Sequence, residues 1–265
     1  MTTIMKKYIF TILVALLAVF AVSCQKTSEG VTHVGSYFQT LGANTMFLGV
    51  GDEFTDPGYT ELPGGGTVTT TIYDMNDEVV DAVSTAEPGF FSIVYSTTND
   101  QGFYFEKTRM VYVYDATVTE TLGTFVVDGS QSLYKDGNTY SAYAAYYADN
   151  GRTTNDSPEI VFTQVAGNIY TCSDLLGGWY TSIQGRGPLY VANYGADYAT
   201  YFDMTGYVTL NADMTVTLMS SYIRCWSDGL DYISNAVYDP ETKTLSYLWS
   251  YAGSQVMGYV VMVQK

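Results

Sequence analysis

The chain has 265 residues, 47% of them hydrophobic, and a net charge of −16, which is enough apolar material for one large or two modest domains. Eleven Lys and Arg against 27 Asp and Glu, with no basic cluster, exclude a nucleic-acid surface built on phosphate contacts. A single histidine, His33, close to the amino end, is poor material for a Ser-His-Asp triad, a Cys-His dyad or a multi-histidine metal centre.

The first predicted element is an address. Lys6 and Lys7 precede an uncharged, apolar-leaning run from Tyr8 to Val22, whose end overlaps Ala21-Val22-Ser23-Cys24. A run this short with a small-residue exit fits a cleaved secretory signal better than a spanning helix. The cysteine at its exit resembles a bacterial lipoprotein box, with Ala21 where that family usually has leucine. The resemblance implies cleavage after Ser23, acylation of Cys24 and an anchor worth about 0.8 kcal/mol per buried CH₂. Residues 1–23 are thus the signal and 24–30, small and polar, a lipidated tether. No later stretch is long and apolar enough to span a bilayer.

The next body, 31–115, has the size of one Ig-like sandwich. Val68 to Tyr73 alternates Thr with Val or Ile, and Phe90 to Tyr95 and Met110 to Tyr114 are further strands. Pro63-Gly64-Gly65-Gly66 and Asn99-Asp100-Gln101-Gly102 are turns. Gly51-Asp52-Glu53-Phe54, Asp56-Pro57-Gly58-Tyr59, Gly89-Phe90, Asn99-Asp100 and Arg109 to Asp115 together resemble the bacterial Ig-like modules of Bacteroidetes surface lipoproteins. In that family the module is a spacer, so no functional residue is carried over. Ala116 to Thr121 is a short polar boundary.

The last body, 120–265, reads as about eight antiparallel strands. They are Leu122 to Val127, Glu159 to Gln164, Asn168 to Cys172, Gly206 to Leu210, Thr215 to Ile223, Leu230 to Tyr238, Thr244 to Tyr251 and Gln255 to Val263. Asn211-Ala212-Asp213 and Asp239-Pro240-Glu241-Thr242 are hairpin turns, with Pro240 at the position a type I turn favours. No long capped amphipathic helix is expected. The fold class is therefore all-β: an Ig-like sandwich followed by a lipocalin-like barrel or a second sandwich. Ser173-Asp174-Leu175-Leu176-Gly177-Gly178-Trp179-Tyr180, Tyr238-Asp239-Pro240 and Lys243-Thr244-Leu245 resemble the carboxy-terminal domain of accessory lipoproteins encoded with Sus-like nutrient importers of gut Bacteroidetes.

Aromatics are the leading site material: 26 Tyr, 12 Phe and 3 Trp. Sugars stack their C–H faces on such rings, and peptide binders use Tyr in a similar way. The candidates are Trp179 and Tyr180 beside Gly177-Gly178, and Trp226 in a loop with Asp228 and Gly229. Cross-strand pairing for sheet stability is the competing role of any single Tyr. Period-2 counting puts Trp249 with Leu245, Tyr247 and Tyr251 on a core face, whereas the run Tyr140 to Tyr147 suits a strand or a helix equally. Cys172 and Cys225 could pair in an oxidising compartment, closing a loop worth about 4 kcal/mol, or stand as separate buried thiols. Asp149, Asp156, Asp174, Asp197, Asp203, Asp228 and Asp231 could supply a glycosidase pair, but most sit in turn-like contexts. Asp149 to Asp156 could hold Ca²⁺ through oxygens but lacks the spacing of an EF-hand loop, and no GxSxG, P-loop or dinucleotide fingerprint occurs.

No catalytic set, metal site or cofactor is expected. The expectation is a non-enzymatic lipoprotein on the outer membrane that captures oligosaccharide or peptide. The importer partnership and cell-surface facing are what the resemblance implies. Only Glu29 stands where surface lipoproteins carry an acidic cluster, which leaves the periplasmic face open. A structural or adhesin subunit, an apolar-ligand carrier and a two-carboxylate hydrolase are the alternatives.

Overall fold

Alternating β-branched, aromatic and polar residues dictate pleated strands with one buried face, and strands dominate the structure. A computed structural model describes residues 37–63, 66–99, 102–146 and 155–265. The signal, Cys24, the tether, His33, the Gly64-Gly65 turn, Asp100, Tyr147 and Asp149 lie outside the described residues.

The amino-terminal body holds β1 (Phe38–Thr40), β2 (Thr45–Gly49), β3 (Tyr59–Glu61), β4 (Thr69–Tyr73), β5 (Val79–Val80), β6 (Gly89–Thr98) and β7 (Tyr104–Tyr114). β1 and β3 form a ribbon; the others form one sheet in the order β2-β7-β6-β4-β5, with β2 parallel to β7. Phe38, Phe91, Ile93, Tyr95, Val111 and Val113 are its core. The Asp56-Pro57-Gly58 and Arg109 signature is structural. Arg109 is fully buried, paired with the Asp56 carboxylate, and donates to the Ala43 carbonyl at 3.0 Å. Tyr95 Oη donates to Asp56 at 2.6 Å, so the charge pair is bonded on several sides, as a buried pair must be.

The carboxy-terminal body holds β8 (Thr124–Val127), the hairpin β9 (Leu133–Asp136) and β10 (Thr139–Ala142), then β11 (Glu159–Ala166), β12 (Ile169–Cys172), β13 (Met204–Leu210), β14 (Val216–Ile223), β15 (Leu230–Asp239), β16 (Thr244–Tyr251) and β17 (Val256–Gln264). All pairings are antiparallel. The hydrogen-bonded path runs β8-β11-β12-β13-β14, while β15 pairs β16, β16 pairs β17 and β17 returns to β8. Between β14 and β15 the ring closes only near its ends. Thr215 bridges Val237, and Leu230 N donates to Ser221 Oγ at 2.8 Å. The edges of one curled sheet therefore meet. Phe125, Tyr170, Leu245, Tyr247, Trp249 and Met262 fill the interior, as period-2 counting of β16 requires.

The ambiguous Tyr140 run is strand through Ala142 and then a short 3₁₀ turn at Tyr143–Ala145. The two bodies share a third core. Tyr112 of β7 lies 4.6 Å from the ring of Tyr207 and bonds Ser220 Oγ at 3.0 Å, with Ile169 and Met219 beside it. Asn168 links Asp115 N to the Leu210 carbonyl, at 2.7 and 2.9 Å.

Candidate functional site

The site grows from the segment between β12 and β13, where strand grammar stops. Asp174 is buried, and its carboxylate accepts the backbone N–H groups of Leu176, Gly178 and Met204 at 2.9, 3.0 and 3.1 Å. Burial drives its pKa well up, the nearby Asp203 carboxylate acts in the same sense, and the three donors oppose both. Burial also raises Asp203, which accepts from Thr181. Tyr247 and Tyr143 hydroxyls donate to the Leu175 and Leu176 carbonyls, both at 2.9 Å. The Asp-Leu-Leu-Gly-Gly string is thus bolted to the ring interior.

Gly177 and Gly178 both take positive φ, and a Cβ on Gly178 would stand 2.5 Å from the Pro158 ring. The chain then makes one wide turn, Trp179–Ile183, and helix α1, Arg186–Tyr194. Pro188 falls in the first helical turn, where its missing N–H costs nothing, and Gly195 ends the helix at φ 102°.

This excursion sorts the candidates. Trp179 is 3% exposed and stacks on Tyr134 at 4.1 Å, so it is core. Tyr180 is also buried, but its ring meets Trp226 edge-on at 5.0 Å, so it floors a surface cluster. Trp226 is 44% exposed. Asp228 lies exposed in the same loop, with Oδ1 accepting from Gly229 N at 2.7 Å. Cys172 and Cys225 stand as free thiols, the first buried and the second half-buried. Burial pushes Cys225 up to about 11 and Cys172 well above the usual thiol range.

Sequence reasoning did not single out the rest of the cluster. Tyr190 and Tyr194 lie one helical turn apart, with centroids 5.2 Å apart; Tyr194 to Tyr198 is 5.4 Å and Tyr198 to Tyr201 5.1 Å. Phe202 joins Tyr190 at 4.6 Å and Trp226 at 5.9 Å. Tyr194 is 64% exposed. These rings, with Arg186 and Cys225, line a cavity of about 300 Å³, at the small end of ligand pockets. The spacing Tyr190, Tyr194, Tyr198, Tyr201 was the available signal, hidden by Gly185, Gly187, Pro188 and Gly195, which read as loop. Among the described residues no group of three or more His, Cys, Asp or Glu could hold a metal. No helix there is long and apolar enough to cross a membrane.

Comparison with known proteins covers both bodies. A family described as a bacterial surface protein Ig-like domain matches residues 38–113, confirming the Ig-like resemblance. A second family, described as a "-like, C-terminal domain", matches residues 128–265, just over half of the chain. Among solved structures, the lipoprotein BT2262 from Bacteroides thetaiotaomicron is 28% identical, with 86% of this chain and 98% of that one covered, at a TM-score of 0.43. No curated protein matches.

Proposed function

The chain belongs to the family of that C-terminal domain, carried behind a bacterial surface Ig-like domain, and from this premise we propose a non-enzymatic, lipid-anchored surface protein that captures oligosaccharide. The observation that carries the reading is one aromatic face in which Tyr194 and Trp226 are exposed and Tyr198 and Tyr201 half-buried. Rings half in water at a cavity of sugar size lose little by being covered, and pyranose C–H faces fit them. Tyrosine hydroxyls add hydrogen bonds at the rim.

Lys6, Lys7, the apolar run and Cys24 support the anchor, and the Ig-like body would stand between membrane and site. Delivery of the cargo to an outer-membrane importer is the role we assign to capture at that position. Phe125, Tyr143, Tyr247 and Trp249, all fully buried in the ring, weigh against the apolar-carrier alternative. Burial of Asp174 beneath three backbone N–H donors weighs against its use in a hydrolytic pair.

The test is a glycan array probed with the detergent-extracted chain and its Trp226→Ala and Tyr194→Ala variants. Retention of a glycan set by the wild type, lost about tenfold or more in either variant, is expected. A wild type that retains no glycan, or variants that bind as well as it does, would overturn the reading.

A further inference from the structure

We propose that this platform selects an acidic sugar, a glycan unit bearing a carboxylate, and that Arg186 and Arg224 are the residues that select it. The inference rests on the oligosaccharide reading and adds the ligand's charge.

The chain has four arginines: Arg109, Arg152, Arg186 and Arg224. Arg109 is consumed in the buried pair with Asp56. Arg186 and Arg224 both lie at the aromatic cluster. The Arg186 guanidinium carbon is 5.1 Å from the ring centre of Tyr180, 5.5 Å from Phe202 and 5.9 Å from Trp226. Its Nε donates to Gln184 Oε1 at 2.6 Å. Among the described residues no carboxylate lies within ion-pair distance of it, although the chain carries 27 acids against 11 bases. Of the three described arginines only Arg109 has an acidic partner, so the guanidinium groups of Arg186 and Arg224 are both left without a protein carboxylate.

The surrounding rings hold the guanidinium plane, and the bond at Nε fixes one edge. Its Nη groups have no protein acceptor among the described residues. A carboxylate accepts two parallel N–H bonds from that geometry, which a neutral hydroxyl cannot match in strength. Arg224 repeats the arrangement at the rim: its guanidinium carbon is 5.4 Å from the Tyr201 ring, and Nη1 donates to the Asp197 carbonyl at 3.2 Å. Two cations held over rings, with sugar-sized space between those rings, fit a residue that is apolar on its C–H face and anionic at one substituent.

The test titrates the whole chain with a panel of uronate- and sialate-bearing oligosaccharides, their methyl esters, sulfated oligosaccharides and neutral oligosaccharides. At least one carboxylated member should bind, with its methyl ester at least tenfold weaker. Arg186→Gln should lose the same factor, Arg186→Lys should fail to restore it, and Arg224→Gln should lose about threefold. Arg224 is exposed, so its variant and the ester comparison keep the test valid if Arg186→Gln does not fold. Equal binding of acid, ester and neutral sugars, with both Gln variants unchanged, would overturn the charge inference and leave the oligosaccharide reading standing. Preference for sulfated members would overturn the carboxylate assignment. Absence of binding across the panel would overturn both.

Discussion

Single carboxylates in this protein do opposite things, and the difference is where they sit. Asp213 and Asp239 cap their own turns from the surface: Asp213 takes Thr215 Oγ1 at 2.6 Å and Asp239 takes Glu241 N at 2.9 Å. Hydrogen bonds of this kind lower their pKa values. Their contribution is present above the ordinary carboxylate value of 3.8 and is lost as pH falls below it. Asp174 and Asp203 run the other way, since burial raises both. Between 3.8 and their raised values the native state binds more protons than the unfolded chain, so stability falls as pH rises and then levels. Asp203→Asn removes one buried charge and the like-charge neighbour of Asp174. It should therefore flatten the decline above pH 3.8 and raise the neutral-pH denaturation midpoint. An unaltered pH–stability curve in that variant would contradict this assignment.

Elements that follow a simple period were legible, and those set by close approach were not. The strands now defined as β11 to β17 were readable from alternation and turn residues, and so was the core face Leu245, Tyr247, Trp249, Tyr251. Cross-strand fit was not. Trp249 pairs with Gly258, where a Cβ would stand 2.4 Å from the indole. Gly258→Ala should therefore cost about 2–3 kcal/mol in urea denaturation. A loss within a few tenths would mean that the indole moves freely. Strand β9 and helix α1 were also missed, and β10 was left undecided between strand and helix. Glycines and Pro188 punctuate α1 as a loop would be punctuated, yet Pro188 sits where a helix tolerates it. Half of the candidate site was legible, Tyr180 and the Trp226 loop, because a Trp beside Asp and Gly signals an exposed turn. Trp179 was drawn to the core by Tyr134, Tyr143 and Tyr146, partners far from it in sequence.

At the scale of the whole molecule, the Ig-like and carboxy-terminal bodies share packed aromatics rather than a bare linker. Tyr112 is 2% exposed and joins Phe47, Phe90 and Tyr207. Tyr112→Ala should cost about 3 kcal/mol and split one calorimetric transition into two; a single unshifted transition would show that the shared core contributes nothing to stability. The account's central claim is that the exposed aromatic face binds sugar, and the three tryptophans test it without any label. Trp179 and Trp249 are buried at 3% and 0%, whereas Trp226 is 44% exposed. Acrylamide quenching of tryptophan fluorescence therefore reports chiefly on Trp226. With a glycan that the chain retains, the account predicts that the quenchable component becomes protected and that Trp226→Phe abolishes that response. A retained glycan that leaves quenching unchanged at saturation would place binding elsewhere and contradict the account.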